Sequence, residues 1–135
     1  MADRQFYDAK SNTCGERDIA FKFFVDGSNP PTLAPSPLNV GITSVTRVSQ
    51  GIYQLTLADA YRYHVSTAAE LNCNTAQARW AQSGPVANFG QALSAGAPTV
   101  QILILDNSST VQDPPAANAN NFIAGTITCG DVASI

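Results

Sequence analysis

One histidine and three cysteines, with a few loop aspartates, are the side chains of this 135-residue chain best suited to nucleophilic, acid–base or metal chemistry. His64 stands between Tyr61 and Tyr63, where an imidazole could serve as a base or stack on a sugar. Cys73 is a conceivable nucleophile for it, but no Ser–His–Asp or Cys–His order in the chain is compelling. Cys14, Cys73 and Cys129 are odd in number and widely spaced, so free thiols are expected rather than a disulfide framework. A zinc site needs four close ligands, and His64 is the single imidazole. Asp106, Asp113 and Asp131 could offer carboxylates to Ca²⁺, yet their spacing is not that of an EF-hand and turn formation accounts for them. Tyr53, Tyr61, Tyr63 and Trp80 could form an aromatic platform for glycans. Core packing is the expectation for Tyr53, and both roles stay open for Trp80. Arg47 is expected to pair with Asp59 at the surface, a minor contribution. No catalytic, cofactor-binding or metal residue is assigned from these patterns.

Composition narrows the class of partner. Charged residues make up 13% of the chain, against about 25% in ordinary globular proteins. Such a surface suits coverage by neighbours. Net charge is −3 and no run of Lys or Arg occurs, which argues against direct nucleic-acid binding. The apolar run at residues 100–105 is too short to span a bilayer, and MADRQFYDAKSNT lacks the apolar stretch of a signal peptide. The expectation is a soluble chain made in a cytoplasm, with no membrane contact.

The elements read as strands. Residues 1–17 are polar and aperiodic and are expected to form an N-terminal arm, with a single domain over 18–135. Ile19, Phe21, Phe23 and Val25 alternate onto one face, with Phe24 on the other. Residues 26–40 hold four prolines and read as a long loop. Residues 42–49 are β-branched, although Ile42, Val45 and Val48 recur every third position. Gln50–Gly51 supplies a turn. Tyr53, Leu55 and Leu57 alternate with Gln54 and Thr56, as in a strand with one buried side. Tyr61, Tyr63 and Val65 are expected on one face of a strand, with Arg62 and His64 toward solvent or a partner. Residues 76–82 fit a weak helix, or a strand over 74–81 with Ala76, Ala78 and Trp80 on one face. Residues 83–98 read as a second long loop. VQILILD at 100–106 reads as a central strand, Asn107–Ser108–Ser109 as a turn, and residues 122–129 as the last strand after a third loop. Six to eight short strands imply an all-β fold: a β-sandwich, jelly-roll-like or Greek-key, with long loops.

The block GITSVTRVSQGIYQLTLADAY at residues 41–61 resembles a strand pair of the form G-x-x-S-[VI]-T-R-x-x-x-G-x-Y-x-[VL]-T-[LF] found in virion proteins of tailed bacteriophages. Gly41, Ser44, Val45, Thr46, Arg47, Gly51, Tyr53, Leu55, Thr56 and Leu57 match it, followed by Asp59, Ala60 and Tyr61. Asp106–Asn107–Ser108, the Gly125–Thr128 strand and the opening MADRQFYDAK are similar too, and the likeness covers about half the chain. It implies a small capsid decoration or cement protein, a homotrimer or other symmetric oligomer bound to the major capsid protein on the virion surface, without catalysis or cofactor. A knob or fibre-tip module that binds host surface glycans is the alternative that the same resemblance allows. The chain shows no coiled coil or shaft repeat, which favours decoration.

Overall fold

The computed structural model describes residues 16–35, 39–73, 79–115 and 121–132, with residues 131 and 132 described by backbone alone. They form two antiparallel four-stranded sheets packed face to face, an all-β sandwich. The strands are β1 (Glu16–Phe24), β2 (Thr32–Leu33), β3 (Ile42–Ser49), β4 (Ile52–Leu57), β5 (Tyr61–Asn72), β6 (Arg79–Ala87), β7 (Thr99–Asp106) and β8 (Phe122–Val132). One sheet has the order β2-β1-β8-β5 and the other β3-β4-β7-β6. The chain changes sheet after β2, β4, β5 and β7.

Period-two alternation builds the core. Ile19, Phe21 and Phe23 of β1 meet Tyr53, Leu55 and Leu57 of β4, with Val100, Ile102 and Ile104 of β7 and Ile123, Ile127 and Cys129 of β8 completing the cluster. The rings of Phe23 and Tyr53 lie 5.6 Å apart across the interface. β7 is central to its sheet, between β4 and β6, as its apolar composition predicts. On the outer side of β1, Phe24 meets Phe122 edge to face at 6.5 Å, and the Lys22 ammonium sits 4.1 Å from the Phe122 ring centroid.

The awkward spacing in β3 has a structural cause. Register shifts fall between Ile42 and Ser44 and between Arg47 and Ser49. The first shift moves the inward face by one residue, so that Ile42 and Val45 both turn inward three positions apart, while Val48 falls at the second shift and is exposed. The β3–β4 turn is made at Gly51, where φ is +71°. A side chain there would also strike the Gln112 carbonyl, so glycine is required twice over.

Four expectations need correction. β1 begins at Glu16, paired with Gly130, so the strand takes in the last two residues of the expected arm; residues 1–15 lie outside the described residues. β5 does not keep a simple alternation. Tyr61 is buried, Tyr63 and Val65 are exposed and His64 is half-buried, and a register shift falls between His64 and Ser66. The strand then runs on to Asn72 through residues with no apolar alternation. Residues 83–87 belong to β6 rather than to a loop; a second shift at Ser83/Val86 absorbs Gly84 and Pro85. β6 itself starts at Arg79, the helical alternative for 79–82 is absent, and Ala76 and Ala78 lie outside the described residues.

Candidate interaction surface

The fold separates the residues whose chemistry could have combined. His64 and Cys73 lie nine positions apart on one strand and its continuation, a span of roughly 25–30 Å. His64 Nε2 lies 2.6 Å from Thr67 Oγ1, and its ring meets Phe89 at 5.7 Å. Burial lowers its pKa, so the neutral imidazole is favoured. Cys73 is half-buried, and burial raises its pKa despite the charge of Arg79. Cys129 is buried in the core, and burial pushes its thiol up to about 12. Cys14 lies outside the described residues. Alkylation with iodoacetamide is therefore expected to modify Cys73 slowly in the folded chain and Cys129 only after denaturation. Mass spectrometry of the two peptides checks the order.

The carboxylates take turn and clamp roles. Asp106 Oδ1 accepts the N–H groups of Ser108 (2.8 Å) and Thr110 (3.0 Å), which lower its pKa and fix the turn after β7. Asp113 does far more than a turn residue would. It takes a bidentate pair from Arg47, with Nη2–Oδ2 at 2.7 Å and Nε–Oδ1 at 3.1 Å. Its Oδ1 also accepts the Gly51 N–H at 2.8 Å, and its carbonyl accepts Arg79 Nη1 at 2.7 Å. One residue so ties the loop after β7 to the β3–β4 hairpin and to the start of β6. Arg47 thus pairs with Asp113, not with Asp59; Asp59 faces Arg17 at 3.8 Å. The side chain of Asp131 is outside the described set. Among the described residues, no three His, Cys, Asp or Glu side chains come together as a metal site requires.

The Asp113 clamp carries a pH dependence. Burial raises the carboxyl's pKa, but the Arg47 hydrogen bonds, the Gly51 N–H and the two guanidinium charges outweigh it, and the net shift is downward. The folded chain then binds fewer protons than the unfolded one. The stabilisation is complete above the ordinary carboxylate pKa and is lost as the pH falls through the lower, folded value. Asp113→Ala is expected to reduce that acid sensitivity and to raise hydrogen exchange in residues 107–115 at neutral pH. Unchanged exchange there would remove the clamp from the account.

The aromatics do not share a platform. Tyr53 and Tyr61 are buried, and their hydroxyls find no hydrogen-bond partner among the described residues. Tyr63 lies over Gly130 on the outer face of the first sheet, while Trp80 stands opposite Leu105 on the outer face of the second. Exposed large apolar side chains are spread over the surface, Val40, Val48 and Leu93 among them. Tyr63 (47% exposed) and Val65 (45%) lie on β5, and Trp80 (42%) and Val86 (39%) on β6, the edge strands on one side of the sandwich. The exposure of Tyr63 and Trp80 was not legible in sequence, because it depends on which strands become edges.

A second feature is a half-open cleft of about 570 Å³ at one end of the sandwich, lined by Arg17, Ile19, Val40, Asp59 and Tyr61 among others. Arg17 and Asp59 face each other on its wall. Comparison with protein-family models finds no match, and neither do comparisons with curated proteins and with solved structures.

Proposed function

We propose that this chain is a structural protein of a tailed-bacteriophage virion, which decorates the icosahedral capsid and stabilises it through symmetric contacts with the major capsid protein. The observation that carries the reading is where the phage-like block falls. Residues 42–57 of the block make the β3–β4 hairpin with its glycine turn, its inward Tyr53, Leu55 and Leu57, and the Arg47 that grips Asp113. The likeness therefore concerns a complete folding unit of a small all-β protein rather than scattered matches.

The surface supports the same role. The outer faces of β3 and β4 carry Ser44, Thr46, Gln54 and Thr56, without charge. Such faces lose little on desolvation and suit repeated, individually weak contacts that sum to a firm hold on a lattice. The proposal assigns the chain no catalysis and no cofactor.

The copy number of the chain relative to the major capsid protein, by quantitative mass spectrometry of purified virions, tests it. A ratio near that of a capsid subunit is expected. Absence from virions would overturn the reading. A trace ratio would move the chain to the tail or a fibre, where the exposed Trp80 favours a glycan-binding knob; a glycan-array signal lost in Trp80→Ala would then establish that second reading.

A further inference from the structure

We propose that the outer face of the β2-β1-β8-β5 sheet docks on the same face of a second copy of this chain, about a twofold axis that runs along β8. The inference does not depend on the virion reading. The registers of β1, β8 and β5 fix what the face carries. Lys22 and Glu70 both pair with Ala124, so the three form one row across the sheet. Phe24, Phe122 and Asn72 form the next row on one side, and Ala20, Thr126 and Ala68 the next on the other. The alternate positions, such as Phe21, Phe23, Ile123 and Leu71, face the core.

Charge complementarity selects the occupant. Lys22 on β1 and Glu70 on β5 stand one strand to either side of Ala124, about 10 Å apart at the backbone. A twofold axis along β8 lays β8 over β8 and β1 over β5. It brings Lys22 of each copy over Glu70 of the other, so one operation makes two ion pairs, and it sets Phe122 over Phe122. The short side chains of Ala20, Ala68, Ala124 and Thr126 let a second sheet lie at the ordinary face-to-face spacing of about 10 Å. Glu70 is exposed, and beside it lies a shallow depression of about 390 Å³ lined by Ala68, Ala124 and Thr126 among others. That depression has room for the four-carbon stem of the incoming Lys22. Within one chain the Lys22 ammonium rests on the Phe122 ring, and Glu70 Oε1 accepts a hydrogen bond from Asn72 Nδ2 at 3.1 Å.

Other ways of laying the face on itself match it less well. A twofold axis across the strands at the Lys22 row sets Lys22 against Lys22 and Glu70 against Glu70. Moved to the Ala20 row, it sets Lys22 against Asp18, which already accepts the Thr128 hydroxyl at 2.7 Å. That arrangement also leaves Glu70 facing Ser66 and puts Phe24 opposite Glu16. A threefold axis cannot bring one patch onto itself, whereas a twofold contact uses the same patch on both copies. The patch measures roughly 15 by 25 Å, the size of a weak and reversible interface. A reversible face must also stay soluble when bare, which accounts for alanine, threonine and charge in place of the large apolar residues of a permanent contact.

Sedimentation equilibrium of the full chain at low salt, up to about 1 mM, tests this together with a charge exchange. The expected result is a mass rising from 14.2 kDa toward twice that value. Lys22→Glu and Glu70→Lys each set like charges against one another at both contacts. Each is expected to weaken dimerisation at least about tenfold with an unchanged circular dichroism spectrum. The double variant restores both pairs in exchanged order and is expected to dimerise within roughly threefold of the parent. The arrangement that pairs Lys22 with Asp18 predicts no such rescue. A monomer at every concentration, a mass of three chains, or a double variant no tighter than the single ones would each overturn the proposal. Acetylation by acetic anhydride supplies an arm that needs no variant: Lys22 of the parent chain should lose reactivity as the dimer forms. Equal Lys22 reactivity in monomer and dimer would overturn the proposal even if a variant misfolded.

Discussion

Replacing Phe23 by alanine is expected to destabilise the domain by about 3–5 kcal/mol, the range for losing a fully buried aromatic ring. Phe23 is completely buried and bridges the sheets, stacking with Phe21 at 6.1 Å and meeting Tyr53 at 5.6 Å. β1 and β4 have their rigid backbones held by β8 and β7 on their inner flanks. The cavity therefore cannot close by moving one strand, and the cost belongs in the upper part of the range. Tyr53→Phe makes the paired control. The Tyr53 hydroxyl is buried without a partner among the described residues, and burial is the leading cause of its raised pKa. An unsatisfied buried hydroxyl carries a desolvation cost of about 1–3 kcal/mol. Its removal is thus expected to leave stability unchanged or to raise it by up to about 1 kcal/mol. Urea unfolding of both variants, followed by tryptophan fluorescence, checks the pair. A Tyr53→Phe loss of the same size as Phe23→Ala would mean that the hydroxyl has a partner after all.

The same two residues show which parts of the fold the sequence declares. β1 and β4 have one wet and one dry face, so their alternation of Ile19, Phe21, Phe23 and of Tyr53, Leu55, Leu57 reads directly as strand and inward face. β7 reads as central because both of its faces are apolar. β5 beyond Val65 does not read at all: Ser66, Ala68 and Glu70 lie on an edge, and nothing selects apolar residues for a face without a cover. A register shift is also silent in sequence, since it flips the face without changing the composition. The Arg47–Asp113 clamp spans 66 positions. Its residues suggest only a hairpin pair and a loop turn until the sheets bring the loop over Gly51. Asp59, four residues beyond Tyr53's neighbour Leu55, was the nearer choice in sequence and the wrong one in space, because β4 ends and the chain leaves the sheet before it.

This division bears on function. Within residues 41–61, β4 reads directly and β3 does not, and sequence says least of all about β5 and β6. Edge and surface residues are chosen for what covers them, and that choice leaves no periodic trace. Contacts with a partner must therefore be sought by experiment, by changing residues of β5 and β6.

Gly125→Val is expected to be as damaging as the loss of Phe23, although β-propensity alone favours the change. Valine is preferred over glycine in strands by up to about 1 kcal/mol. Gly125 lies inside β8 and pairs with Ala69 of β5. A Cβ placed there would strike the Ala68 carbonyl oxygen and lie 2.8 Å from its carbon and 2.9 Å from Ala69 Cα. All three are backbone atoms of a paired strand, so no rotamer change can make room, and β5 must move away from β8. Gly125→Ala already incurs the clash, and valine adds two methyl groups to it. The expected cost is at least about 3 kcal/mol, beginning at one strand. In Gly125→Ala, the amides of Ser66–Asn72 should lose protection while β1, β4 and β7 keep theirs. Hydrogen exchange resolves that pattern residue by residue. Should Gly125→Ala melt with the parent protein and protect β5 fully, the close packing of β5 on β8 would be refuted.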